Sequence, residues 1–370
     1  MKALFLGDAS NLHACLAREL RQMGHTAVVA SNGSKWMDTK RDINLVRRPG
    51  RLGAVAYVGR LLRALPLMRG YDVVQLFNPI FLQLKPWRLK PFLTYLKRHN
   101  GHVVLSALGT DYVYYQACHD GHTYRYSDYM VGQQPSPYVD STEYIASEQA
   151  NWDKPFMRQW SDYFLSQIDG AVACLWEYYV AYQPVLGQRL AYAGIPIDVR
   201  GIQPHCIEQV PERVRFFIGI QRDRNVLKGT DLLLAALKRV HERHPQECEM
   251  VVVENVPYAQ YVQLLGSSHV LLDQAYSYTP ATNALLGMAQ GLVAVSGAEP
   301  EYYQLIGEHD LHPIINVLPS QADIERKLEW ILAHKDQLPR LSHESRAFVE
   351  KHNDAHRVAE QYLRFWQSLA

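Results

Sequence analysis

Three cations lie close together in one short run of the chain: Arg222, Arg224 and Lys228 in RDRNVLKGTD. The apolar run at 215–220 before them is predicted to be a buried strand. Gly229 follows, and apolar spacing over 229–244 predicts a helix. The free amides and positive dipole end of a helix bind anions, arginine offers forked donors, and lysine offers a mobile charge. The run therefore indicates a phosphate or diphosphate site, with a solvated basic loop as the alternative.

Two other predicted strand ends also lead into polar groups. After the strand predicted at 269–273, Thr282 and Asn283 are predicted to cap a helix at 283–290, whose start presents free amides. The strand predicted at 102–106 is followed by ALGTDYVYY, which contains Gly109 and Asp111. Loops at the carboxyl ends of parallel strands are where doubly wound sheets bind ligands.

Alternating strands and helices position these loops. In the first half, strands are predicted at 2–6, 26–30, 72–76, 102–106 and 171–175, with helices at 12–23, 53–65 and 91–98 and Asn11 as the cap of the first helix. From residue 214 onward, further strands are predicted at 215–220, 249–253, 269–273 and 292–295, and helices at 229–244, 258–265, 283–290, 323–334, 344–351 and 356–366. The pattern predicts an α/β protein with two doubly wound, Rossmann-like domains facing a ligand-binding cleft.

We place the first domain at 1–200 and the second at 201–350, joined near 194–204. The final segment, 351–370, is expected to be a helix that packs back on the first domain. Residues 112–167 interrupt the alternation as a tyrosine-rich insertion, because eight tyrosines fall between 112 and 144. Long connections often form lids or binding loops, and tyrosine suits stacking on a sugar ring. An insertion that packs its rings inward is the alternative.

Composition narrows the class of protein. The 370 residues have a formal net charge of +1, which gives no general attraction to nucleic acid. The five cysteines are scattered without a CxxC pair, so we expect neither a disulfide framework nor a zinc site. The opening MKALFLG is read as a strand rather than a leader, and no apolar stretch reaches the length of a membrane span. We therefore predict a cytoplasmic protein. We also expect no metal and no bound cofactor.

Charge is unevenly distributed, however. Between residues 43 and 98 there are eleven Lys or Arg and one acid, Asp72, with apolar and aromatic residues among them. A solvated basic face is the simpler interpretation. The alternative is a surface for anionic lipid headgroups or a pyrophosphate-linked acceptor, with peripheral association at the inner face of the plasma membrane.

The segment KGTDLLLAAL after FIG resembles the corresponding helix of family-4 retaining glycosyltransferases, which have the GT-B fold. The resemblance implies that Lys228 and Gly229 hold a donor diphosphate. The family's arginine directly follows the strand glycine, where this chain has Ile220, so Arg224, or else Arg222, would have to replace it. The SYTPATNALL block is similar to that of an unassigned bacterial subgroup.

Other parts of the resemblance show departures. MAQG is similar to the family's EAMAxG block, but Tyr278 and Leu286 occupy the places of its two glutamates, which leaves Tyr278, Thr282 and Asn283 as donor contacts. ALGTD resembles the HGxD loop, with Gly109 on the donor side, Asp111 as a catalytic-site residue and Leu108 in place of the histidine.

Two weaker matches complete the resemblance. The loop with Asp8, Ser10 and Asn11, together with Tyr112, would face the acceptor. The segment with Val256 and Tyr258 would meet the nucleotide base.

These implications predict a retaining glycosyltransferase that moves a sugar from a nucleotide diphosphate donor to a carbohydrate or lipid-linked acceptor in surface polysaccharide synthesis. Lys228, Arg224 and Asp111 would form its catalytic group, and no nucleic acid would take part. A non-catalytic, degenerate glycosyltransferase partner and a nucleotide-sugar epimerase of the same fold are the alternatives.

Overall fold

The structure is a computed structural model that describes residues 1–33, 39–254 and 256–369. The chain divides into two compact units. Unit 1 comprises Met1–Gln116, Asn151–Pro196 and Ala355–Ala370, and unit 2 comprises Ala117–Ala150 and Ile197–Asp354. Elements are numbered along the chain.

Unit 1 is built on a seven-stranded parallel sheet in the order β3-β2-β1-β4-β5-β8-β9. Its strands are β1 (Lys2–Leu6), β2 (Thr26–Ser31), β3 (Ile43–Asn44), β4 (Val73–Leu76), β5 (His102–Ala107), β8 (Gly170–Ala173) and β9 (Leu190–Tyr192). Its helices are α1 (Leu12–Gln22), α2 (Gly50–Ala64), α3 (Lys90–His99), α4 (Tyr112–His119, which ends in unit 2), α6 (Pro155–Gln167), α7 (Trp176–Leu186) and α15 (Ala355–Ser368). The central strands are fully buried because helices cover both faces of a parallel sheet.

Unit 2 has a five-stranded parallel sheet in the order β11-β10-β12-β13-β14. Its strands are β10 (Val214–Ile220), β11 (Cys248–Glu254), β12 (Val270–Leu272), β13 (Val293–Ser296) and β14 (Ile315–Asn316). Its helices are α8 (Asn225–Lys228), α9 (Thr230–Arg243), α10 (Tyr258–Gly266), α11 (Thr282–Ala289), α12 (Pro300–Ile306), α13 (Gln321–Ala333) and α14 (Leu338–His352). Along β10, Phe216 and Ile218 join the larger core and Phe217 joins a smaller cluster, as side-chain alternation across a sheet requires.

The tyrosine-rich region differs from its prediction. It contains α4, α6, a short helix α5 (Thr142–Ala146) and a hairpin of β6 (Met130–Val131) and β7 (Gln134–Pro135). Residues 117–150 pack with unit 2 and not with the first domain, to which we assigned all of 112–167. We name residues 117–150 the excursion. The chain changes unit again within the predicted linker, between Pro196 and Ile197, and α15 packs against α1 in unit 1.

Neither predicted helix cap forms a side-chain cap, although Asn11 does occupy the N-cap position of α1. Asn11 precedes α1 in a left-handed conformation, with φ 64°, and its side chain forms no capping hydrogen bond. Helix α11 is preceded by extended Ala281, so Thr282 and Asn283 lie inside the helix. The elements β3, β9, β14, α7 and α12 were missed because they are short or lack a clear apolar period. No helix within the described residues is long and apolar enough to cross a membrane.

Candidate functional site

The sequence RDRNVLKGT folds into a compact turn at the carboxyl end of β10. A short 3₁₀ turn at Arg222–Arg224 leads into α8, which ends at Lys228. The hydroxyl of Thr230 donates to Asn225 Oδ1 at 2.6 Å, and the amide of Ala275 donates to the carbonyl of Lys228 at 2.9 Å. These two bonds fix the turn that carries Lys228.

Gly229 makes this turn possible. Its φ is 70°, in the left-handed region, and it directly precedes α9. A Cβ built on Gly229 would lie 3.0 Å from the Ala275 Cβ and 3.0 Å from the Tyr276 ring. Both the backbone conformation and the close packing require glycine here, as the sequence pattern indicated.

Lys228 lies against a buried carboxylate. Its Nζ is 3.9 Å from Asp273 Oδ1, and the two side chains are 20% and 1% exposed. Burial lowers the pKa of Lys228, Asp273 opposes that effect, and the like charge of Arg224 lowers the pKa further. Two cations therefore lie near one buried anion, and an additional anion would relieve both the desolvation and the repulsion.

Asp273 is itself held by a short polar chain. Its Oδ1 accepts a 3.0 Å hydrogen bond from Asn283 Nδ2, and Asn283 Oδ1 accepts one of 2.7 Å from the Tyr261 hydroxyl. The other oxygen of Asp273, Oδ2, is buried and has no hydrogen-bond partner among the described residues. Asn283, predicted as a helix cap and donor contact, thus orients the carboxylate beside Lys228.

Sequence reasoning read HVLLD as a strand and missed the role of Asp273. A signal was present, because Asp273 ends an apolar strand of the same sheet that leads to Lys228. Strands β10 and β12 are parallel neighbours, so the segments after their carboxyl ends meet. The pairing of the strands had to be known before that signal could be used.

The remaining donor-side residues are placed differently. Arg222 is exposed and forms an ion pair with Glu254, whereas Arg224 is the arginine that acts on Lys228. Thr282 is the first residue of α11. Val256 is half-buried just before α10, and Tyr258 begins that helix, although its side chain lies outside the described part.

Tyr278 anchors the excursion. The residue is buried, its ring stacks on Tyr126 with centroids 4.8 Å apart, and its hydroxyl accepts a 2.6 Å bond from the amide of Arg125. Buried Glu299 accepts hydrogen bonds of 2.7 Å from the Tyr126 hydroxyl and from the Arg125 guanidinium. One ring face and the hydroxyl of Tyr278 are therefore already used within unit 2.

In unit 1, the loop after β1 is tightly organised. Asp8 is buried, and its two oxygens accept from the amide of His13 at 2.9 Å and from the hydroxyl of Thr39 at 2.7 Å. Ser10 and Asn11 follow with φ of 51° and 64°. Two successive left-handed residues other than glycine are costly, and such strain persists only where surrounding contacts enforce it.

His13, which sequence reasoning did not single out, provides such contacts. It is fully buried, its Nδ1 donates to the Gly7 carbonyl at 2.7 Å, and its Nε2 accepts from the Ser106 hydroxyl at 2.8 Å. Burial lowers the pKa of His13, which agrees with a neutral ring in this tautomer. The Gln75 side chain also donates to Ser106 and accepts from Trp366 of α15, so a buried polar chain joins the C-terminal helix to the β1 loop.

The ALGTD loop is also in unit 1. Gly109 has φ 71°, and Tyr112 begins α4. Asp111 is buried, and its oxygens accept from the Tyr114 amide at 2.9 Å and from the Tyr182 hydroxyl at 2.5 Å. Burial raises the pKa of Asp111 to about 6. Its carboxyl group is thus used to start α4 and to bind Tyr182.

No cluster of three or more metal-ligating side chains occurs within 1–33, 39–254 and 256–369. Lys228, Arg224, Asp273, Asn283 and the start of α11 form the site that unit 2 offers, and its chemistry suits an anion rather than a cation.

No protein-family model matches the chain, and no curated protein matches it in sequence. Solved structures, in contrast, share its fold over its whole length. Sucrose-phosphate synthase from Thermosynechococcus elongatus is 13% identical with a TM-score of 0.64, covering 100% of this chain and 99% of that one. Anabaena HepE, solved in complex with UDP-glucose, is 12% identical with a TM-score of 0.59, covering 100% of both chains.

A third similar structure is that of an epimerase. UDP-GlcNAc 2-epimerase from Neisseria meningitidis, bound to UDP-GlcNAc, is 10% identical with a TM-score of 0.54 and full coverage of both chains. At such identities the similarity establishes the fold alone. The chain has the GT-B fold that its sequence predicted.

Proposed function

We propose that the protein is a retaining glycosyltransferase that binds the diphosphate of a nucleotide-sugar through Lys228 and Arg224. The observation that supports this most directly is the buried lysine beside Asp273, with a second cation close enough to lower its pKa. Such a site favours a ligand with at least two negative charges. The GT-B fold, and the UDP-glucose in the HepE structure, agree with a nucleoside diphosphate as that ligand.

In this proposal, the protein's main contribution is to stabilise the charge that develops on the leaving diphosphate. Lys228 and Arg224 neutralise that charge, and the amides at the start of α11 assist. Asp273 and Asn283 keep Lys228 in one position before the donor arrives, so that less reorganisation is needed during reaction. The donor phosphate itself accepts the proton of the acceptor hydroxyl, and the sugar is transferred with retention.

The acceptor side is proposed to lie in unit 1, at the loop with Asp8, Ser10 and Asn11. The enforced left-handed backbone there suits a functional loop. Asp111 acts in this proposal as a buried support of the ALGTD loop rather than as a group that meets substrate. A carbohydrate or lipid-linked acceptor in cytoplasmic synthesis of a surface polysaccharide completes the proposal.

The epimerase alternative shares the fold and the anion site, but it requires acid–base groups at the sugar. The non-catalytic alternative follows from Leu108, Tyr278 and Leu286, which replace the family's histidine and glutamates. The reaction products distinguish both alternatives from glycosyl transfer. An epimerase changes the donor sugar without an acceptor, and a degenerate partner leaves the donor unchanged.

Thermal stability of the full chain is to be measured with UDP, GDP, ADP and dTDP and their sugars. A ligand at about one hundred times its Kd raises the free energy of unfolding by about 2.7 kcal/mol. Donors that stabilise are then incubated with acceptor extracts, and the anomeric configuration of the product is read by proton NMR.

Arg222→Gln provides the matched control for Arg224→Gln, because Arg222 is exposed and paired with Glu254. The proposal requires loss of nucleotide binding in Arg224→Gln and its preservation in Arg222→Gln. An absence of stabilisation by every nucleotide contradicts the enzyme interpretation, and inversion at the anomeric carbon contradicts retention.

A further inference from the structure

Helix α2 of unit 1 has two apolar faces, only one of which is covered. Tyr57, Leu61 and Ala64 are buried against the unit. The opposite face displays Leu52, Val55 and Leu62, which are 88%, 72% and 56% exposed. The spacings of three and seven residues place these three side chains in one line along the helix. We name them the outer stripe.

The outer stripe is fixed in place by the packing beneath it. The Tyr57 hydroxyl accepts a hydrogen bond of 3.1 Å from the amide of Gln83. Leu61 packs with Met68 and Leu82 around a small apolar pocket under the helix. Because the inner face is used in this way, turning the helix to bury the outer stripe would expose Tyr57 and Leu61 instead.

Cations surround the outer stripe. Arg51 and Arg63 are exposed on its two flanks, and exposed Arg48 and Arg69 lie before and after the helix. None of the eleven Lys and Arg residues between 43 and 98 forms an ion pair within the described residues. The acid in that range, Asp72, accepts a hydrogen bond from the backbone amide of Lys2. The face is thus apolar at its centre, with arginines on both flanks and beyond both ends.

An apolar line flanked by arginines matches the interface of an anionic bilayer. The apolar side chains enter the boundary between headgroups and acyl chains, while arginines reach back to lipid phosphates. A second copy of this chain would bring arginines against arginines, and a nucleic acid would leave the leucines in water. We propose that α2 docks unit 1 on a membrane surface that contains anionic lipid. This proposal stands independently of the reaction in unit 2.

The test is co-sedimentation of the full chain with vesicles. Phosphatidylcholine vesicles with about one part in three phosphatidylglycerol are compared with pure phosphatidylcholine, at salt from about 0.05 to 0.5 M. We expect binding to the anionic vesicles that falls steeply with salt and little binding to the neutral ones.

Two double variants separate the contributions. Arg51→Gln with Arg63→Gln lowers the partition coefficient about thirty-fold, since one cation near the surface contributes about five-fold. Leu52→Glu with Val55→Glu lowers it at least as much, because it removes apolar insertion and adds repulsion. Val185→Glu, at a half-exposed position on α7 of the same unit, is the control and leaves binding unchanged.

Circular dichroism melts check that each variant folds like the wild type. Equal binding of wild type and both double variants would overturn the proposal, as would binding indifferent to lipid charge. Light scattering tests whether a second copy of the chain covers the outer stripe instead. If the wild type dimerises without binding lipid, and Leu52→Glu with Val55→Glu abolishes the dimer, the outer stripe is a dimer interface and the proposal is overturned. Binding of a random RNA in place of vesicles, lost in the arginine variant alone, would assign the face to nucleic acid and likewise overturn the proposal.

Discussion

Replacement of Lys228 by methionine removes one positive charge from the proposed anion site and largely keeps the shape of the side chain. The change leaves the 1%-exposed carboxylate of Asp273 without the cation 3.9 Å away. At that separation and an effective dielectric constant of about 20, the Coulomb energy of the pair is about 4 kcal/mol. Lys228 is one-fifth exposed, so water reduces the loss, and we expect a decrease of about 3 kcal/mol in the free energy of unfolding.

This loss has a measurable consequence for melting. For a unit of about 190 residues, 3 kcal/mol corresponds to a decrease in Tm of about 6–12 °C. The double variant Lys228→Met/Asp273→Asn recovers most of the stability, because a neutral amide can still accept from Asn283 and no buried charge remains unpaired. Scanning calorimetry without ligand measures the Tm of the single and the double variant.

Binding behaves differently from stability. If the proposed function holds, both variants lose a charge-assisted bond to the diphosphate, worth about 3 kcal/mol at a largely desolvated site. The affinity for the best nucleoside diphosphate then falls about 100-fold in each. Isothermal titration measures this loss. The reasoning is refuted if the double variant recovers binding together with stability, because Lys228 would then act only as the partner of Asp273. It is equally refuted if Lys228→Met binds nucleotide as tightly as the wild type.

Three further outcomes are expected. Gly229→Ala loses about 1–3 kcal/mol, measured by urea unfolding, because φ is 70° and the added methyl group meets Ala275 at 3.0 Å; unchanged stability would contradict the steric argument. For Asp111, the pKa of about 6 in the folded protein exceeds the value of 3.8 in the unfolded chain. The free energy of unfolding of the wild type therefore decreases as pH rises from about 4 to 6, by up to about 3 kcal/mol, and Asp111→Asn lacks this decrease. Parallel pH profiles of the two proteins would contradict this account of Asp111. Tyr126→Phe removes the hydroxyl that donates a hydrogen bond to buried Glu299, which weakens the packing of the excursion on unit 2 by about 1.5–3 kcal/mol. We expect faster cleavage of the excursion in limited proteolysis, and an unchanged cleavage rate would show that this hydrogen bond does not anchor it.

Much of the fold was readable from the sequence because periodicity is a local property. Apolar runs bounded by turns predicted the central strands of both sheets, and helical spacing predicted α9, α13 and α15. The predicted caps at Asn11 and Asn283 failed because a capping residue type is only a preference. At Asn11 the loop adopts left-handed backbone held by Asp8 and His13, and Asn283 is drawn to Asp273 instead.

The proposed anion site could be predicted only in part from the sequence. Lys228, Gly229 and the arginines are close in sequence, so their chemistry could be inferred together. Asp273 is 45 residues further along the chain, and only the pairing of β10 with β12 brings it to Lys228. The choice between Arg222 and Arg224 likewise depended on Glu254, the last residue of the neighbouring strand β11, which pairs with Arg222.

The sequence by itself determined that this chain has two doubly wound units and a glycine-supported cluster of cations after a buried strand, since these are properties of neighbouring residues. The tertiary structure alone decided which carboxylate faces Lys228, which unit holds the excursion and which side of α2 stays uncovered. Those outcomes depend on contacts between residues far apart in the chain, where burial and charge act over distances that no local pattern records.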